Sequence, residues 1–203
     1  LTLGGLSGHL ETYAFSLKQP VIVRRQGQAW ELGAAELHLG EGMLRLQGVS
    51  SPDSVDAEVS WEGLPLALAS LAVSRPMGGV TTGTLTVQGS PQAPVARITG
   101  KLEGVRFESG ADSDVPPVNA SFEGAIRDGY GTLEFSGETG DVLSAKGQGR
   151  IPVRWSLAPW SFELSSEDSL DGSLDVAGDL RVLKMLPAFE RDDVIRDYLS
   201  VLG

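Results

Sequence analysis

Apolar residues recur at every second position through most of this chain, the spacing of a β-strand that buries one face and wets the other. Between Ala35 and Gln47, the residues Ala35, Leu37, Leu39, Leu44 and Leu46 alternate with Glu36, His38, Arg45 and Gln47, and Gly40, Glu41 and Gly42 stand at the middle. The pattern is that of a hairpin with one apolar and one polar face. Val55, Ala57, Val59 and Trp61 alternate in the same way with Asp56, Glu58 and Ser60, and Ile151, Val153, Trp155 and Leu157 repeat the pattern further on. Helical spacing would scatter these side chains around an axis, so the chain is bound to fold as antiparallel sheet.

A second pattern lies over the first. The unit Gly, any, Leu, any, apolar, any, Gly occurs four times, as GMLRLQG from Gly42, GTLTVQG from Gly83, GTLEFSG from Gly131 and GSLDVAG from Gly172, with starts 41, 48 and 41 residues apart. One or two further strands fit between copies, such as Val95 to Gly104 and Val142 to Val153. The repeat predicts an elongated antiparallel sheet that grows by similar hairpin units, each touching mainly its neighbours. An ordinary β-sandwich whose turns use glycine is the alternative.

Two segments leave the strand pattern. Leu64 to Val73, LPLALASLAV, has Pro65 where a first-turn proline fits and Pro76 to stop it, which predicts a short buried helix or turn. From Asp179 onward, Leu180, Leu183 and Leu186 share a turn that Pro187 ends. Val194, Ile195, Tyr198, Leu199 and Leu202 then form an amphipathic stripe behind Asp192 and Asp193. Residues 108–119, ESGADSDVPPVN, read as a loop or an excursion between units. The expected organisation is therefore a repeated-hairpin sheet over 1–178 and short helices over 179–203 that pack on the sheet, lie on a membrane or dock a partner. With neither an initiator methionine nor a signal peptide before Leu1, the chain reads as a fragment of a longer one. No window approaches the roughly 20 apolar residues that span a bilayer.

Composition and motifs argue against chemistry. Lys and Arg number 16 against 27 Asp and Glu, a net charge of −11, so the clustered cations that a nucleic-acid binder needs are missing. The absence of cysteine removes disulfides, thiolate metal sites and cysteine nucleophiles. The two histidines, His9 and His38, are far apart, and His38 alternates with Leu37 and Leu39, which places it on a polar, solvent-facing side. Gly5, Leu6, Ser7 and Gly8 are one residue short of a nucleophile elbow and precede no helix. Asp112 and Asp114, Glu167 and Asp168, and Asp192 and Asp193 lack the spacing of a calcium loop and read as solvated charge. A glycosidase-like carboxylate pair fits poorly with 6% aromatic residues. Asn119, Ala120 and Ser121 form a sequon that matters only in a eukaryotic secretory setting. No catalytic residue, metal or cofactor is expected, and the chain reads as non-enzymatic.

Function then falls to the apolar face. The fourteen residues expected to line it are Leu37, Leu39, Leu44, Leu46, Val55, Val59, Trp61, Leu85, Val87, Leu133, Phe135, Trp155, Leu174 and Val176. At about 1.5 to 3 kcal/mol for each side chain fully buried, covering them is worth about 20 to 40 kcal/mol. A net stability of roughly 5 to 15 kcal/mol cannot forgo that, so the face must be covered. The helical segments are too short to do it, and the sheet must curl. Touching walls make a sandwich; separated walls make a trough that needs an apolar guest.

The repeated units resemble a known family. GTLTVQGSPQAPVARITGKLEGVRF from Gly83 to Phe107, WELGAAELHLGEGMLRLQG from Trp30 to Gly48, WEGLPLALASL from Trp61 to Leu71 and GSLDVAGDLRVLKMLP from Gly172 to Pro187 are similar to the C-terminal part of the TamB family (translocation and assembly module B), related to AsmA-like proteins. The likeness covers nearly the whole chain and rests on pattern and on Gly and Pro placement; the stretch 108–119 departs from it. It implies an elongated, curled antiparallel sheet, a U-shaped trough or β-taco, apolar inside and polar outside. It further implies the periplasm of a Gram-negative bacterium, with the full-length chain anchored in the inner membrane. The implied partners are phospholipid or its acyl chains, carried between the membranes, and an outer-membrane barrel of the TamA or BamA type in the assembly of outer-membrane proteins; no nucleic acid and no cofactor are implied. The alternatives are a scaffold whose sheet edge pairs with β-barrel precursors and a closed β-solenoid or adhesin repeat with a dry core.

Overall fold

The computed structural model of the chain describes residues 1–10, 12–71, 77–107, 116–164 and 171–179. Its strands are β1 (Thr2–Leu3), β2 (Ser7–Leu10), β3 (Tyr13–Leu17), β4 (Val21–Gln26), β5 (Ala29–Leu39), β6 (Gly42–Ser50), β7 (Val55–Pro65), β8 (Met77–Ser90), β9 (Ala93–Phe107), β10 (Val118–Arg127), β11 (Tyr130–Thr139), β12 (Leu143–Leu157), β13 (Trp160–Leu164) and β14 (Asp171–Gly178), with one short 3₁₀ helix, Leu66–Leu71. All fourteen strands form a single antiparallel sheet. Period-two patterning and tight turns make it. At Asp128 and Gly129, for example, φ values of 52° and 80° give β10 and β11 the doubly left-handed turn that matches the twist of a hairpin.

From β4 to β13 each strand pairs with the next in sequence. Both margins end in broken strands. On one side, β3 and β4 take separate halves of β5, with β2 outside β3 and β1 outside β4. On the other, β13 pairs with Val153–Leu157 of β12 and β14 with Leu143–Arg150. The sheet is not closed, because no pairing joins the β1/β2 margin to the β13/β14 margin among the described residues. A closed solenoid is therefore not the architecture.

The sheet curls. Laid flat, β9 and β12 would stand about 14 Å apart, with two strands between them. Instead, the Pro91 carbonyl, at the turn into β9, accepts hydrogen bonds from the backbone N–H of Leu157 at 2.7 Å and of Ala158 at 3.3 Å, and from the Ser156 hydroxyl at 3.3 Å. Ala96 and Val153, 6% and 2% exposed, lie beneath this clasp on the apolar side, so the roll is toward that side. At the opposite ends of the strands, Leu39, Leu66, Val105 and Leu143 are buried, and the Thr139 hydroxyl donates to the Pro116 carbonyl at 2.9 Å. No large side chain among the described residues is completely buried, so these residues form no packed sandwich core.

Three expectations need correction or lie out of view. The segment Leu64 to Val73 is not a helix from its start: Leu64 and Pro65 finish β7, paired with Thr81 and Val80, and only Leu66–Leu71 turns, as 3₁₀ helix. Pro65 sits at the end of a strand, where its missing N–H costs little. In the stretch 108–119, Val118 and Asn119 already belong to β10, and Asn119 Oδ1 accepts from the Gly104 N–H at 2.9 Å; residues 108–115 lie outside the described residues. The helices expected over 179–203 also lie outside them beyond Asp179, so the proposed division at 178 has no structural counterpart to compare.

Candidate functional site

Directly paired residues of an antiparallel sheet share a face. One cross-strand line runs Leu17, Leu37, Leu44, Trp61, Gly83, Gly100, Phe122, Phe135, Gly147, Leu174, from β3 to β14. The next line on the same face runs Leu46, Val59, Leu85, Ile98, Gly124, Leu133, Gly149, Gly172. Val87 and Val55 follow on β8 and β7, Trp155 on β12, Val176 on β14 and Leu39 on β5. The register thus brings all fourteen lining residues onto one face. Leu39 and Val55 are buried, Leu133, Phe135 and Leu174 exposed, and the other nine half-buried.

The same face holds residues that the sequence reading did not pick out, including Ile98, Phe122, Phe162 and Leu164. Their signal was present but interrupted. In Ala120, Phe122, Gly124 and Ile126 a glycine replaces one apolar residue, and Gly100 and Gly147 do the same in β9 and β12. The four repeated units also acquire a reason here. Their glycines at both ends and their apolar third and fifth residues all point to this face, so each unit presents two large side chains between two bare positions.

Aromatic rings lie over Gly83, Gly100 and Gly147, of which only Gly83 opens a repeated unit. A Cβ on Gly100 would stand 2.5 Å from Cζ of Phe122; at Gly83 it would strike the Trp61 ring, and at Gly147 the Phe135 ring. Rings lying flat on neighbouring glycines shield the backbone and keep the face low. Trp61 satisfies its own polar atom sideways, donating Nε1–H to Thr81 Oγ1 at 3.1 Å.

Toward β13 and β14 the face is open. Leu133 is 48% exposed, Leu174 58%, Phe162 50% and Leu164 60%, all on the same side of β11 to β14. Burial on the apolar side is greatest at Val153 and Ala96 in the β9–β12 roll and at Leu39 and Val55 on β5 and β7. A depression of about 880 Å³ lies on the opposite, polar face, among Lys101, Ser121, Glu123, Glu134, Lys146 and Asp175. The expected relief, apolar within and polar without, is in this respect incomplete: flat rings leave the apolar side shallow, whereas long polar side chains wall the other.

The polar face carries a tight ionic cluster around Glu36. Glu36 accepts from Lys18 Nζ at 2.6 Å and from Arg45 Nε at 3.3 Å, with His38 Nε2 3.3 Å away. The Lys18 hydrogen bond leads in holding the Glu36 carboxyl down to about 2, against partial burial, with Arg45 and His38 assisting. His38 is thus on the polar side, as is the exposed His9, which pairs with Ala14. Among the described residues no group of three or more His, Cys, Asp or Glu is placed to hold a metal ion. The carboxylate pairs at 112 and 114, 167 and 168, and 192 and 193 lie outside the described residues.

No family profile, no curated protein and no solved structure matches the chain.

Proposed function

We propose that this chain is a non-enzymatic, lipid-conducting segment whose apolar face receives the acyl chains of phospholipid while headgroups stay at the open margin. The observation that carries the reading is a one-sided apolar face whose large side chains stand exposed at Leu133, Phe135, Phe162, Leu164 and Leu174. Apolar patches of that kind mark a site for an apolar guest. Movement along the face is passive, since a chain sliding on continuous hydrocarbon avoids about 0.8 kcal/mol for each CH₂ returned to water. By its resemblance to the TamB and AsmA-like proteins, the segment works in a Gram-negative periplasm, carries phospholipid between inner and outer membranes, and supports outer-membrane protein assembly with a barrel of the TamA or BamA type.

Arginine substitutions test the reading. In Leu85→Arg or Leu133→Arg, native mass spectrometry of gently purified protein should find bound phospholipid lost, and outer-membrane integrity should fall, whereas Thr86→Arg on the polar side should change neither. Lipid-free wild-type protein, or inward arginines that leave outer-membrane integrity intact, would sink the proposal.

A second reading has its own support. The outer edge of β14, Asp171–Gly178, is free of any strand among the described residues and has neither Lys nor Pro to protect it. Such an edge accepts an added strand, and an unfolded β-barrel precursor supplies one.

A further inference from the structure

The tip of the β10–β11 hairpin, at Asp128 and Gly129, stops short of the strands on either side. β9 pairs with β10 no further than Ala96 with Ile126, and β12 pairs with β11 no further than Pro152 with Tyr130. Residues 93–95 and 153–157 therefore run past the tip with no strand between them. There the Pro91 carbonyl gathers the Leu157 and Ala158 N–H groups and the Ser156 hydroxyl.

β12 changes its outer partner at the same place. β14 takes residues 143–150 and β13 takes residues 153–157, so Ile151 and Pro152 have no strand on that side among the described residues. Pro152 also lacks the N–H that a ladder there would use. Residues 153–164 thus form a two-stranded hairpin joined to the sheet through one uncoupled step of β12. Beyond that step the Val153 N–H donates to the Gly129 carbonyl at 2.8 Å, and the Pro91 clasp holds the far end. The outer strand is loosely packed, with Trp160 70% exposed. The inner strand covers apolar ground: Val153 is buried over Gly131, where an added Cβ would stand 3.3 Å from Val153 Cγ2.

We infer that residues 153–164 are a flap, hinged at Ile151 and Pro152 and latched by the Pro91 carbonyl, whose opening uncovers the apolar ground around Ala96 and Gly131. The latch is closed in this structure and built to break. Three donors share one carbonyl with two lone pairs, and the Ala158 N–H is divided between that carbonyl and Ser156 Oγ at 3.3 Å. A hairpin held in this way belongs with the segments that open locally while the rest of a protein stays folded. The flap governs access for any apolar guest, so the inference does not rest on that guest being lipid.

The chain has no cysteine, so a single introduced thiol reports on a single site. In the full chain, Val153→Cys should be labelled by a maleimide without global unfolding, faster than Leu143→Cys, which is buried on β12 away from the flap. Urea below the unfolding transition should speed labelling less steeply at 153 than at 143, because opening the flap exposes little surface. Ser156→Ala, which strips the hydroxyl from the latch, should raise the rate at 153 about fivefold, the effect of one hydrogen bond lost. Leu39→Ala, in the buried end of β5, should raise the rate at 143 and leave that at 153 unchanged. If a variant fails to fold, amide exchange in the unsubstituted chain decides: Leu157 and Ala158 should exchange together, well before the amides that join β6 to β7. Equal urea slopes at the two thiols, a rate at 153 that ignores Ser156→Ala or follows Leu39→Ala, or Leu157 and Ala158 amides as slow as those between β6 and β7 would overturn the flap.

Discussion

Glu36 shows how the polar face contributes to stability. Its carboxyl is held at about 2 against an ordinary 4.5, so the folded state favours the charged form. That contribution is complete above pH 4.5 and fades as the pH falls toward 2. Urea midpoints of wild type and Glu36→Gln should therefore differ at neutral pH and converge through that window. Salt should narrow the difference, because Lys18 and Arg45 are 59% and 56% exposed. The alternation of Glu36 and His38 with Leu37 made their side of the strand legible in sequence. The ionic cluster was not legible, because Lys18 reaches Glu36 only through the pairing of β3 with β5. The aromatic-on-glycine contacts were hidden for the same reason: Phe122 and Gly100 are paired only once the β9–β10 register is known.

At the scale of elements, burial depends on where the sheet rolls. Val153 on β12, 2% exposed under the Pro91 clasp, and Leu174 on β14, 58% exposed, were equivalent in sequence as apolar residues of alternating strands. Val153→Ala should cost about 2 kcal/mol in urea unfolding, and Leu174→Ala less than about 0.5 kcal/mol. Period two assigned the strands and their faces because the spacing of a strand is local. It could not show the clasp, which joins a turn at Pro91 to the end of β12, more than sixty residues on, nor the breaks that divide the margins into β3 and β4, and β13 and β14. Leu64 and Pro65 misled because a proline before an apolar run suits a helix start and a strand end alike.

At the scale of the molecule, the four glycine-bounded units, the alternation and the net charge of −11 fit one arrangement, an open curled sheet with its charges on one side and its hydrocarbon on the other. The fold class was readable from these patterns; the extent of enclosure was not, since it depends on how far the sheet rolls. An exposed apolar surface marks a site for a guest or a partner, and acyl chains and β-strands leave different traces. Photo-crosslinking amino acids at Leu85 and Leu133 on the face, Thr86 on the polar side and Asp175 on the β14 edge, irradiated in living cells, discriminate between them. Phospholipid adducts at Leu85 and Leu133, with none at Thr86, are the predicted result; no lipid adduct at either face position, with protein adducts at Asp175, would contradict it.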